Sequence, residues 1–199
     1  MHPYAIDTNE RQYVFFFLAV VSVGIAWLSN WVLTNLQVTI PWYGEAPSVL
    51  TAYGLLVWSF DKYAWRWRFI RLLRLVRTPD LSGDWEGHIE SSFHNYERKQ
   101  HVKVTIEQTW TKICIALDTG STGSQSHSET AGILIEYPGR PVLTYNYLNE
   151  PRAVSTETMH THRGTAILSV RGDHLDGQYY SGRGRTNHGS IELRRVRTS

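Results

Sequence analysis

Two hydropathy patterns divide this chain. Residues 14–33, VFFFLAVVSVGIAWLSNWVL, run for 20 residues without a formal charge. That is the length a helix needs to cross a hydrocarbon core about 30 Å thick. From Leu81 onward the pattern changes. Short runs alternate apolar and polar residues, with Gly, Pro, Asn and Ser between them, as half-buried strands do. Strands are expected near 82–91, 101–110, 112–119, 128–137, 141–149, 159–171, 174–182 and 189–197. Eight antiparallel strands at this spacing predict a small up-and-down barrel or a sandwich.

Between these regions, Pro41, Gly44 and Pro47 punctuate a loop, and a second apolar stretch follows at 49–60. Extended to 46–67 it is long enough for a second span, with Trp65 and Trp67 at headgroup level. The expected layout is a transmembrane hairpin over 1–79 and a ligand-binding barrel over 80–199. A cleaved signal sequence fits less well, because Asp7, Glu10 and Arg11 mix charges before the first apolar run. Six basic residues (Lys62, Arg66, Arg68, Arg71, Arg74, Arg77) follow the second stretch against one acid, Asp61. The positive-inside rule then places both termini and the barrel in the cytoplasm.

The alternation also assigns faces. Val102, Val104 and Ile106 share one, as do Ile113, Ile115 and Leu117. Ala166, Leu168 and Val170 continue backward into Gly164, His162 and His160. Leu175, Gly177 and Tyr179 align, and so do Ile191 and Leu193. Several inner rows are thus apolar at one end and polar or glycine-rich at the other, which fits a packed base and a small ligand at the mouth. Gly83-x-Trp85 at the start of the first strand is similar to the opening of lipocalin-like barrels, with Trp85 plugging the base.

Composition narrows the chemistry. The net charge of +2 gives no bulk argument for a nucleic-acid scaffold, and Cys114 is the single cysteine, so an internal disulfide is excluded. His160 and His162 share a face, but no third ligand stands at metal spacing. Phosphate-loop, nucleophile-elbow and HExxH motifs are absent, so no catalytic residues are assigned and no enzyme is expected.

The membrane hairpin, the basic segment, the barrel, and Gly177-x-Tyr179-Tyr180 followed by Arg183 together resemble the two-transmembrane, β-strand-rich effectors of bacterial CBASS anti-phage defence. The resemblance implies a barrel that binds a cyclic oligonucleotide, with a cyclic dinucleotide as the expected form, made by a CD-NTase-type nucleotidyltransferase. It also implies oligomerisation, inner-membrane disruption and cell death, with no cofactor. Such a ligand presents phosphodiesters and flat bases. Arg183 and Arg185 suit the phosphates through their planar forks, and Tyr145, Tyr147 and Tyr179 suit the bases or ribose. Thr186, Asn187 and His188 can reach base edges, and His162 can line the pocket. Two plainer readings stay open: the arginines as a solvated hairpin pair, and Tyr145 and Tyr147 as barrel core. The alternative function is a tethered barrel for an apolar ligand such as lipid or haem, with both arginines outside.

Overall fold

A computed structural model describes residues 1–37, 42–120, 123–152, 160–182 and 186–196. The chain forms two units, Met1–Asp7 with Thr78–Ser199, and Thr8–Arg77.

The first unit is a closed barrel. Its strands are β1 (His2–Ile6), β2 (Gly83–Ser91), β3 (Lys99–Gln108), β4 (Lys112–Asp118), β5 (Ser124–Leu134), β6 (Val142–Pro151), β7 (His162–Arg171), β8 (His174–Ser181) and β9 (His188–Arg195). From β2 to β9 each strand pairs antiparallel with the next, and β9 closes on β2. The meander expected from the alternation is present.

The strand count differs from expectation: the barrel has nine strands rather than eight. The added strand comes from the N-terminus. β4 and β5 pair directly only at Ala116–Asp118 and Gln125–His127. Beyond that point they diverge and β1 fills the gap, antiparallel to β4 at His2 and Pro3 and parallel to β5 at Tyr4–Ile6. HPYAI is too short to show a period of its own, so the alternation did not reveal it.

The base is built as the sequence motif implied. Trp85 is fully buried, and its indole N–H donates to the Leu81 carbonyl at 2.9 Å. The Arg195 guanidinium lies 4.6 Å over the ring and donates to the carbonyls of Ser82 and Asp80 at 2.7 and 2.6 Å. Gln108 is buried and accepts the Leu81 N–H at 2.7 Å. The entering backbone is thereby satisfied where water cannot reach it. Above this clasp Val102, Val104, Ile106, Ile113, Ile133, Leu143, Leu168, Leu175 and Leu193 form one apolar cluster.

The second unit holds α1 (Glu10–Asn35) and α2 (Trp42–Lys62), packed on each other. Among the described residues only α1 is both long and apolar enough to cross a membrane. Phe16, Phe17, Trp27 and Trp31 on it are exposed. The second expected span, 46–67, falls on α2, which starts earlier and stops at Lys62. Pro47 stands six residues into it, near its start rather than mid-helix. A 3₁₀ turn (Ala64–Arg66) and α3 (Arg68–Leu72) follow. Trp65 is buried rather than at an interface, while Trp67 is exposed. The Glu10 carboxylate accepts the Arg77 N–H at 2.7 Å, joining the two ends of this unit.

Candidate functional site at the barrel mouth

Followed away from Trp85, the inward positions of the strands change character. On β6 they run Leu143, Tyr145, Tyr147, Asn149, and on β7 Val170, Leu168, Ala166, Gly164, His162. Register sets these side by side: Tyr145 opposite Ala166, Tyr147 opposite Gly164, Asn149 opposite His162. On β8 and β9, Tyr179 stands opposite Gly189.

The glycines make room for rings. A Cβ on Gly164 would collide with the Tyr147 ring and the Tyr180 carbonyl, and one on Gly189 would lie 2.6 Å from Tyr179 Cε1. Each tyrosine therefore leans across the bare backbone of a neighbouring strand, an approach only glycine allows. Tyr147 Oη lies 3.5 Å from Ser181 Oγ. Tyr179 is partly buried against the core, whereas Tyr180 is half exposed on the outer face.

Tyr145 sits one level deeper, its ring centroid 6.3 Å from that of Tyr147. Burial, and secondarily the neighbouring Tyr147, push its phenol well above the ordinary range. It stays neutral and, like Tyr147, is buried in the core cluster.

Of the other expected residues, His188, Thr186 and Asn187 are not on this inward row. His188 is exposed, its ring edge-on to Tyr96 at 6.1 Å. Thr186 is exposed, and Asn187 is half-buried with its carbonyl accepting the Ser181 N–H at 2.8 Å. His162 is half-buried on the inward row, its Nδ1 2.9 Å from the His160 carbonyl. Arg183 and Arg185 lie outside the described residues.

The structure adds residues that the sequence reading missed. Ser124 and Ser128 are buried and Ser126 half-buried on β5, with Ser126 opposite Asn149 and Ser128 opposite Tyr147. A bulge between Ser128 and Thr130 then shifts the inward row to Ala131 and Ile133. The alternation Ser-Gln-Ser-His-Ser was the available signal, masked by the bulge that breaks its phase. Arg152 is a further addition. Its guanidinium donates to Asp118 Oδ2 at 2.8 Å, while its Nε is buried without a hydrogen bond among the described residues. The Gly120 backbone N–H, and then Arg152, hold the Asp118 carboxyl below its ordinary value. A surface recess lined by Asp173, His174, Arg194 and Arg195 lies at the base instead, where Arg195 is committed to the Trp85 clasp.

A mouth with two glycine-backed tyrosines, hydroxyl and amide groups above them and a rim guanidinium can hold a flat, polar, anionic ligand. Residues 76–195 match the family described as "Cap15, cyclic dinucleotide receptor domain", and residues 12–66 match "Cap15, TM helices". The chain belongs to the Cap15 family. Two curated relatives, both named CD-NTase-associated protein 15, resemble it along most of its length. The one from Yersinia aleksiciae is 30% identical over 96% of this chain and 88% of the relative. The one from Staphylococcus schleiferi is 26% identical over 92% of this chain and 91% of the relative. As a Cap15 chain it carries a cyclic dinucleotide receptor domain and a membrane-associated helical region, the parts of a CBASS membrane effector. The Cap15 receptor match begins at residue 76, so β1 lies outside it.

Proposed function

We propose that the mouth of the barrel binds one cyclic dinucleotide. Its bases stack on Tyr147 and Tyr179, and Ser126, Asn149 and His162 hydrogen-bond their edges or the ribose. Arg152, Arg183 and Arg185 meet the phosphates. The carrying observation is the pair of rings laid on Gly164 and Gly189 directly beneath a polar inward row. A polar ligand can hydrogen-bond to that row, which an apolar one cannot. The chain acts as a receptor without catalysis or cofactor. Binding drives self-association through the helices and disrupts the inner membrane. The messenger comes from a CD-NTase-type nucleotidyltransferase, as the relatives' names imply for them.

Two spans and a cytoplasmic barrel complete this reading. Met1–Asp7 and Thr78–Ser199 form one folded unit, so a chain that enters the membrane between them returns to the side it left. An even number of crossings fits this, and the basic cluster after α2 favours the cytoplasmic side.

The test is titration of the detergent-solubilised full chain with a panel of cyclic dinucleotides and trinucleotides. One cyclic dinucleotide is expected to bind tightly and to bind more weakly to Arg183→Ala. A folded protein that binds none of the panel overturns the reading.

A further inference from the structure

We infer that β1 is a latch. Its seat in the barrel wall holds the resting state, and leaving that seat is the step by which an occupied mouth loosens the chain that enters α1. This rests on the ligand reading above and adds to it a means of transmission.

Several observations point to a removable strand. The meander from β2 to β9 already closes on itself through the direct β4–β5 pairing, and β1 is a wedge in one end of that seam. Five residues hold it, divided between an antiparallel neighbour and a parallel one, and parallel pairing is the weaker kind. Neither family match includes it.

The seat nevertheless has definite grips. Tyr4 is buried and its hydroxyl donates to the Trp110 carbonyl at 2.8 Å. The Asp7 carboxylate accepts the N–H groups of Ile135 and Glu136 at 2.6 and 2.9 Å. At the other end, His2 Nε2 lies 2.8 Å from Ser128 Oγ.

That last grip reaches the ligand site. Ser128 Oγ also accepts the Ile115 N–H at 3.0 Å, a donor left unpaired by the β4–β5 ladder where the strands part. Ser128 stands directly opposite Tyr147 and borders the bulge. A ligand that draws on Tyr147 shifts the β5–β6 pairing that sets Ser128, the residue that closes the seam and holds His2. Past Ile6 only Asp7, Thr8 and Asn9 intervene before α1 begins, so a strand that leaves its seat loosens the chain entering that helix, whose first residue, Glu10, stays tied to the Arg77 N–H.

The seat can be locked. A Cβ built on Gly132 lies 4.0 Å from Ala5 Cβ and meets nothing nearer than 3.5 Å, which suits a disulfide. The full chain carrying Ala5→Cys and Gly132→Cys, with Cys114→Ser, is reconstituted into phosphatidylethanolamine/phosphatidylglycerol vesicles containing a dye. It is oxidised with copper–phenanthroline in air and compared with the same sample reduced by dithiothreitol. The probe is whichever 3′,3′-linked cyclic dinucleotide of A, G, C and U binds the reduced protein. The oxidised protein should bind it more weakly, because a ligand that unseats β1 must bind the unseated form better, and at saturating ligand it should release dye at least about tenfold more slowly, with recovery on reduction. Equal release from the oxidised and reduced forms overturns the latch. So does a cross-link that runs at dimer mass, which would assign the seat to another copy's strand.

A second variant needs no ligand and no disulfide. His2→Ala with Asp7→Ala removes both end grips without touching the core, and should leak dye in the absence of nucleotide. A tight vesicle overturns the latch. If the reduced protein binds no cyclic dinucleotide, the ligand reading is what has failed, and this variant alone decides the latch.

Discussion

At the base of the barrel, Trp85 is fully buried under a guanidinium that is itself bound to two carbonyls. At the mouth, on the same inward rows, the side chains are Ser126, Asn149 and His162, with tyrosines resting on glycine. One alternating pattern produces both ends. The difference lies in what each position contributes. The base gains stability from large apolar groups that fill space. The mouth forgoes that gain at Gly164 and Gly189 and keeps polar groups where an apolar residue would pack better. A barrel needing only stability would repeat the base along its whole length.

Four substitutions probe this contrast. Trp85→Ala removes the plug and leaves Arg195 without its ring, and should destabilise the barrel by about 3–5 kcal/mol in chemical denaturation. If it costs much less, the base is not the anchor described. Next, Gly164→Val puts a branched side chain into the space of the Tyr147 ring and against the Tyr180 carbonyl. A stability loss of about 1–3 kcal/mol should accompany a loss of cyclic dinucleotide binding by calorimetry. Retained affinity would show that the ring is not part of the site. Tyr179→Ala should weaken binding by about 1–3 kcal/mol and leave the melting temperature nearly unchanged, because Tyr179 is only partly buried. A large fall in melting temperature with full affinity would move Tyr179 from mouth to core.

The smallest effect concerns Tyr145, whose phenol is held neutral by burial. Its folded value is raised, so above the ordinary value of 10.0 the unfolded chain gives up a proton that the folded one retains. Stability then falls as pH rises past that point. Tyr145→Phe should reduce this alkaline loss in denaturation curves recorded on either side of pH 10. An unchanged pH dependence would place the phenol in contact with water.

The contrast between the ends was largely legible in the chain. Period-two alternation located the strands from β2 to β9, Gly83-x-Trp85 marked the base, and parity separated Tyr179 from Tyr180. What escaped the reading did so for specific reasons. β1 is five residues long and pairs with strands more than a hundred positions away, so no local pattern could announce it. The bulge in β5 reverses the inward phase and hid the serines before it. Asn149 is a polar residue near a strand end and looks like an approach to a turn until Ser126 and His162 are seen beside it. Tyr145 and Tyr147 both satisfied the parity rule and both are buried in the core cluster; parity does not report that Tyr145 lies one level deeper along the strand. α2 began before Gly44 and Pro47 because breaker residues near a helix start do not end it.

The N-terminal strand also orders events during synthesis. Tyr4 leaves the ribosome 106 positions ahead of Trp110, the residue whose carbonyl receives its hydroxyl. The strand is thus made before α1 and has no seat until β3, β4 and β5 have followed. Such non-local pairing is slow to form. The first residues of the chain are among the last to reach their place in the fold, and they must wait unpaired beside a nascent membrane helix.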